Sequence, residues 1–401
     1  MKKGFWRSEW VVPIAVLIVG IAVLSVLKAN FGQSVKHTTT PNPGGNLTKS
    51  TAKHKTTGSN GQSKSKNSVI NAGDAMHGRP APNFTLTNQF GKKVSLSQFK
   101  GKTVILSFID STCHAICPLT TEDIKTAVHL LGPKAQKNIQ IIGVNANPKS
   151  TSVAAVKKYS IEHGMLHSWQ YLTGSSTQLH KVWKDYYVYS GVVNGQIDHT
   201  PALYVIGPKG KEKLLYMVPS QYSSVNAESH VLAKNIAKYL PSSIKTNITP
   251  VQYHAPAKGP GNLIQLPSAL STGSAKSVTL NPRKPQLVVF FASWIPHIKE
   301  KLTRLNKYAS QPGHPQVIAV DVATTEPGLK PLTKLMAQFP KLNFKVGIDK
   351  TGKVADAYHI QELTWFALKS SSGKIVWHHS EWIKMTQMSK DVKKALTQSH
   401  Q

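Results

Sequence analysis

The two cysteines of this 401-residue chain, Cys113 and Cys117, stand four residues apart, and Pro118 follows directly. A spacing of four places two side chains on one face of a helical turn, so both sulfur atoms can reach one point. A cysteine at a helix N-terminus has a lowered pKa, and its thiolate attacks disulfides or binds soft metal ions such as Cu(I). The pair therefore predicts a metal site or thiol–disulfide exchange.

A structural disulfide is the alternative use of two cysteines in an oxidising compartment. A bridge between Cys113 and Cys117 would enclose only three residues. Closing so small a loop removes little entropy from the unfolded chain and joins no distant segments. The pattern therefore favours a chemical role over a structural one.

The segments around the cysteines indicate how they are positioned. Residues 103–109, "TVILSFI", form a continuous apolar run of the kind found in strands that are buried on both faces. Residues 119–132 have a helical period and end at a glycine, and 139–147 read as a second buried strand. Because strands and helices continue to alternate, we expect an α/β fold.

Overall charge limits the classes of partner. The chain has 49 Lys and Arg residues against 18 Asp and Glu residues, a net charge of +31. Such a balance could indicate nucleic acid binding, but the lysines are scattered and do not form one block. We interpret the charge as favouring solubility and attraction to an anionic membrane or wall surface, with no nucleic acid partner.

The N-terminus predicts a membrane anchor. Residues 10–27 carry no charge and are long enough to cross a bilayer, and basic residues precede them in the segment 1–9. The positive flank favours a cytoplasmic segment 1–9, a single transmembrane helix over 10–27 and an extracytoplasmic location for everything after Lys28. A cleaved signal peptide is the alternative, although this apolar run is longer than a typical signal region.

Composition then divides the rest of the chain. Residues 28–79 are rich in Ser, Thr, Gly, Asn and Lys, which predicts a flexible basic linker. Globular patterning covers 80–240, a Pro-rich linker is expected over 241–258, and a second globular region covers 259–401. The second region repeats the strand, turn and helix layout of the first, which indicates duplication of a whole domain.

Three motifs of the first copy carry a resemblance. They are "CHAICP" from Cys113, "YLTGSSTQLHKVWKDYYVYS" from Tyr171, and "DHTPALYVIGPKGK" from Asp198. Together with the order of strand, cysteine turn and helix, they resemble the Sco/SenC family of copper-binding assembly proteins. The resemblance implies a thioredoxin-like fold and copper ligands at Cys113, Cys117 and His199.

The resemblance also implies a function and a partner. The chain is expected to be a membrane-anchored, extracytoplasmic copper-binding protein that delivers copper to cytochrome c oxidase subunit II or a similar copper-receiving protein. The alternative is a thiol–disulfide oxidoreductase that keeps partner cysteines reduced, with Cys113 and Cys117 as its catalytic residues. The C-x-x-x-C spacing and the matched histidine favour a metallochaperone over an enzyme.

The second copy resembles the TlpA/ResA type of thioredoxin domain through "FFASW" at 290–294 and "GIDKTGKVADAYHIQEL" at 347–363. Where that type places Trp-Cys-Pro-x-Cys, this chain has the residues 294–298, "WIPHI", and Thr364 stands where the fold normally has a cis-proline. We therefore expect two tandem thioredoxin-like domains, of which the second keeps the scaffold without the chemistry. Copper binding is not expected to depend on it.

Overall fold

The apolar run that predicts a buried strand is strand β4, Thr103–Ile109, and all seven of its residues are buried. It lies in a computed structural model that describes residues 70–217, 221–249, 251, 253, 259–270 and 277–399. The described residues belong to one compact unit. The expected anchor at 10–27 lies outside them, and the helices within them are all too short or too polar to cross a bilayer.

The part of the chain up to residue 249 is called the first half below, and residues 259–399 the second half. The elements of the first half are strands β1 Asp74–Ala75, β2 Thr85–Asn88, β3 Lys93–Ser95, β4, β5 Ile139–Asn145, β6 Gln170–Thr173, β7 Ser190–Val193, β8 Gln196–His199, β9 Ala202–Ile206 and β10 Glu212–Met217, and helices α1 Ile116–Leu130, α2 Gly132–Gln136, α3 Val153–Glu162, α4 Ser176–Asp185 and α5 Val225–Ala237.

Eight strands of the first half form one mixed sheet in the order β1–β10–β9–β4–β5–β6–β2–β3. Strand β4 is parallel to β5 and antiparallel to β9. Alternate side chains of β4 face opposite sides: Ile105 packs in a cluster with residues of α1, α3 and α5, and Leu106 in a cluster with residues of α4. The α/β architecture predicted from the sequence is therefore confirmed for this half.

The sheet begins inside the segment 28–79 that composition predicts as a linker. Asp74 of β1 pairs with Leu215 of β10. The guanidinium of Arg79 lies 2.8 Å from the carboxylate of Glu212, whose side chain is fully buried. A buried carboxylate needs a charged partner, so residues 74–79 are bound to the sheet although their composition is polar.

The second half has its own sheets. Its elements are strands β11 Ile264–Pro267, β12 Ser277–Leu280, β13 Gln286–Phe291, β14 Gln316–Asp321, β15 Lys345–Ile348, β16 Trp365–Lys369 and β17 Ile375–Ser380, and helices α6 Ile298–Ala309, α7 Leu329–Met336, α8 Lys353–Ala357 and α9 Met385–Gln398.

The main sheet of the second half repeats the centre of the first. Its order is β15–β14–β13–β16–β17, which corresponds to β6–β5–β4–β9–β10. Strand β13 is parallel to β14 and antiparallel to β16, as β4 is to β5 and β9. The equivalent directions agree with the duplication inferred from the sequence. The resemblance of this half to the TlpA/ResA type stays a prediction.

Candidate metal centre

The turn between β4 and α1 is shaped by the carboxylate of Asp110, which is 4% exposed. Its Oδ1 accepts hydrogen bonds from the main-chain N–H of Thr112 at 2.8 Å and from the hydroxyl of Thr112 at 2.9 Å. It also accepts one from Nδ2 of Asn147 at 2.7 Å. Asn147 follows β5, so groups at the ends of two neighbouring parallel strands fix the start of the turn.

Helix α1 begins at Ile116, before the helical period predicted at 119–132 but after Cys113. The expectation that both cysteines share one helical turn is therefore wrong: Cys113 precedes the helix and Cys117 lies in its first turn. The two remain close because the first N–H groups of a helix have no partner within it. The sulfur of Cys113 accepts hydrogen bonds from the N–H of Ala115 at 3.4 Å and of Cys117 at 3.5 Å.

The two thiols are electrostatically unequal. The hydrogen bond from the Cys117 thiol, aided by the main-chain N–H groups, lowers the pKa of Cys113. Burial raises the pKa of Cys117 well above its ordinary value, and Cys117 is only 1% exposed. Cys113 is partly exposed and therefore ionises first, while Cys117 keeps its proton until a partner or a metal replaces it.

His199 is the last residue of β8, in the hairpin that β8 forms with β7. Its Nδ1 lies 3.2 Å from the carbonyl oxygen of Thr200, which can only accept, so Nδ1 carries the proton. Its Nε2 then has a free lone pair, and it lies 3.5 Å from the sulfur of Cys117. Burial lowers the pKa of His199, which favours the neutral imidazole that metals bind.

These donors suit a soft metal ion. Two ligand atoms at bond lengths of about 2.0–2.3 Å from one metal are separated by at most about 4.3 Å, and Cys117 and His199 meet that limit at 3.5 Å. Across the described segments, no three His, Cys, Asp or Glu side chains are already spaced to hold a metal ion together. The side chains of Cys113, Cys117 and His199 would therefore have to move closer together to bind a metal.

The corresponding turn of the second half is apolar. Ile295 is 3% exposed and Ile298, the first residue of α6, is 6% exposed. Neither side chain can ionise. This is the physical reason for the prediction that the second half has no redox activity, and it stays a prediction. The peptide bond between Leu363 and Thr364 is cis, although Thr364 stands in place of the proline.

No pattern in the sequence predicted that the second half contacts the cysteine turn. The main-chain N–H of Leu363 donates a hydrogen bond of 3.1 Å to the carbonyl oxygen of His114, between the two cysteines. The imidazole of His114 faces the indole of Trp294, with ring centroids 5.7 Å apart. The only available signal was the apolar character of "WIPHI", which is equally consistent with an ordinary core.

Comparison with known proteins identifies relatives of the first half. The SCO1/SenC family model matches residues 74–237. The SCO1 protein homolog of Bacillus subtilis is 30% identical over 134 residues, which are 32% of this chain and 68% of that protein.

Two solved structures are also similar. Copper-bound ScoI of Bradyrhizobium japonicum is 24% identical, with a TM-score of 0.34 over 40% of this chain and 99% of that one. BsSco, described as a member of the Sco family of cytochrome c oxidase assembly proteins, is 25% identical, with a TM-score of 0.34 over 43% of this chain and 98% of that one. The family match confirms the thioredoxin-like fold predicted for the first half.

Proposed function

The chain belongs to the SCO1/SenC family, and we propose that it binds one Cu(I) ion through Cys113, Cys117 and His199 and delivers it to a copper-receiving protein. The observation that carries the proposal is the 3.5 Å approach of His199 Nε2 to the sulfur of Cys117. Two thiolates and one imidazole form a soft donor set of the kind that selects Cu(I). The donor atoms of this chain are therefore themselves suited to copper.

The surrounding residues prepare these donors. The carbonyl oxygen of Thr200 orients the His199 ring by accepting a hydrogen bond from Nδ1–H, which leaves Nε2 as the ligand atom. The N–H groups of Ala115 and Cys117 stabilise the thiolate of Cys113. Since burial raises the pKa of Cys117, metal binding must displace its proton, and the apparent affinity should rise with pH.

The place of action and the partner follow from the sequence expectations. We propose that residues 10–27 anchor the chain in the cell membrane by a single helix, with both halves outside the cytoplasm. The proposed receiver is cytochrome c oxidase subunit II or a similar protein with a copper centre to be filled. The positive charge of the chain supports binding near an anionic membrane surface.

Thiol–disulfide exchange is a second candidate, supported by the inequality of the two thiols. Cys113 is partly exposed with a lowered pKa, as an attacking thiol should be, and the buried Cys117 can resolve the mixed disulfide. The thiolate of Cys113 would attack a partner disulfide and release one partner thiolate. Cys117 would then displace the second, so that the partner is reduced while the cysteine pair is oxidised.

The substitution His199→Ala separates the two functions. Exchange needs only the cysteines, whereas the copper site also needs the imidazole. We expect the reduced parent chain to bind one Cu(I) in a competition titration, and His199→Ala to bind it about 10–100-fold more weakly, or worse, because a ligand itself is lost. Formation of the Cys113–Cys117 disulfide should be unchanged.

The matched control is His180→Ala, which removes an exposed imidazole of α4. It should bind copper as the parent does. If His199→Ala also binds copper like the parent, the proposed copper site is wrong, and thiol–disulfide exchange becomes the better function.

A further inference from the structure

The second half contacts the cysteine turn at the main chain. The turn runs from Asp110 to Ala115, and none of it is helix or strand. Leu363, which is 2% exposed, donates its N–H to the carbonyl oxygen of His114 at 3.1 Å. This main-chain bond ties the backbone between the two sulfur atoms to the second half.

The indole of Trp294 covers the same side of the turn. Its ring centroid lies 5.7 Å from that of His114 and 4.7 Å from that of His163, and Trp294 is 6% exposed. Its Nε1 donates to the carbonyl oxygen of Thr325 at 2.9 Å, which fixes the orientation of the ring. A rigid ring therefore lies against the residue that separates Cys113 from Cys117.

The contact continues into a shared apolar core. Leu119, two residues after Cys117 and 1% exposed, belongs to the same cluster of buried side chains as Trp294 and Leu363. Val225, at the start of α5, belongs to that cluster as well. Because the interface is apolar and buried, the second half forms a fixed support for α1.

Polar contacts secure the neighbouring loop. The carboxylate of Asp356 in α8 accepts hydrogen bonds of 2.9 Å from the main-chain N–H groups of Tyr222 and Ser223. It also accepts a hydrogen bond from the hydroxyl group of Ser223. At Gly352 an added Cβ would overlap the main-chain carbon of Tyr222, so only glycine permits this close approach of the two halves.

We propose that the second half is the positioning element of the cysteine turn: Trp294 and the N–H of Leu363 hold the backbone between Cys113 and Cys117, so that only side chains move when a ligand draws the donor atoms together. This inference rests on the proposed copper function. Ordering a residue costs roughly 1–2 kcal/mol of backbone entropy. Because the second half orders the turn when the chain folds, this entropy is lost before copper binds. Copper binding then does not have to offset it, and the affinity is higher. The second half thus keeps a role without thiols of its own, and the inference replaces the expectation from the sequence that copper binding does not depend on it.

The substitution Trp294→Ala in the full chain tests this role with two measurements. The first is Cu(I) affinity by competition titration, which should fall about 10–100-fold, the range for lost supporting contacts of metal ligands. The second uses the reduced, metal-free chain: the rate at which iodoacetamide alkylates Cys117, which is 1% exposed, should rise about tenfold as the turn opens more often. Trp294→Phe, which keeps an aromatic ring, should restore most of both properties.

Trp377→Ala is the matched control. Trp377 lies on the edge strand β17, and its ring contact is with His379 of the same half. This variant should bind copper and react with iodoacetamide like the parent. If Trp294→Ala matches the parent in both measurements, or if Trp377→Ala changes them equally, the positioning role is overturned.

Two further outcomes remain decisive. If the parent itself binds no Cu(I), the proposed function fails, and the alkylation rates alone decide whether the second half positions the turn. If Trp294→Ala does not fold, Asp356→Asn replaces it, because that variant weakens the same interface without opening a large cavity. Faster alkylation of Cys117 in Asp356→Asn supports the inference, and an unchanged rate overturns it.

Discussion

The cysteine turn of the first half and the "WIPHI" turn of the second half follow equivalent central strands, β4 and β13. One presents sulfur and nitrogen donors, and the other presents buried isoleucines and an indole that packs against the first. The same sheet therefore supports a reactive turn in one half and a supporting surface in the other. The sheet sets where the turn lies, and a few side chains decide what it does.

The largest effect is expected where the two halves share a core. Leu119→Ala removes a side chain that is 1% exposed at their interface and should lower the free energy of unfolding by about 2–5 kcal/mol. Because the core is shared, scanning calorimetry should show one transition for both halves, shifted downward. The matched change is Leu179→Ala, which removes a buried side chain of α4 from a separate cluster of the first half. Two independent transitions, with only the first moved by Leu119→Ala, would contradict the shared core.

Buried carboxyl groups predict an intermediate effect of pH. Burial raises the pKa of Glu228 in α5 to about 7, and burial together with Glu228 raises that of Asp123 in α1. The stability contributed by the protonated Glu228 is complete below its unfolded pKa and is lost as the pH rises through about 7. The parent should therefore be less stable at pH 8 than at pH 5, with Glu228 contributing at most about 3 kcal/mol.

Urea unfolding from pH 5 to pH 8 measures this dependence. Glu228→Gln should flatten the profile, whereas Glu300→Gln, at an exposed position of the second half, should leave it unchanged. The second half has a similar group, since burial and Glu326 raise the pKa of Asp321 well above its ordinary value. A stability that does not fall between pH 5 and pH 7 would show that Glu228 ionises as it does in water.

The smallest effect concerns helix capping, in which the halves differ. In the first half Ser175 caps α4 by accepting from the N–H of Gln178 at 3.3 Å. In the second half α9 follows Lys384, which provides no side-chain cap although its backbone is extended as a cap requires. Ser175→Ala should cost about 0.5–2 kcal/mol of stability, and Lys384→Ser should add a similar amount. Thermal unfolding monitored by circular dichroism measures both; a neutral Lys384→Ser would refute the capping difference.

Local patterns in the sequence predicted the α/β fold of the first half and the repeated layout of the second. The apolar run 103–109 predicts β4 because a strand buried on both faces needs apolar side chains at every position. The pairing of two thiols with a distant histidine came from the family resemblance, and the structure places His199 beside Cys117. The strands and the repeated layout depend on residue type and period, which a single sequence shows, whereas the histidine was identified only through the resemblance.

The tertiary structure alone decided where α1 begins, that residues 74–79 join the sheet, and what the second half touches. The polar strand β1 is stabilised by pairing with β10, so its own composition gives no signal. The bond from Leu363 to His114 uses main-chain atoms, which every residue has, and Trp294 contacts the turn through an ordinary apolar ring. Such contacts depend on the packing of two surfaces far apart in the chain, and no local pattern encodes that packing.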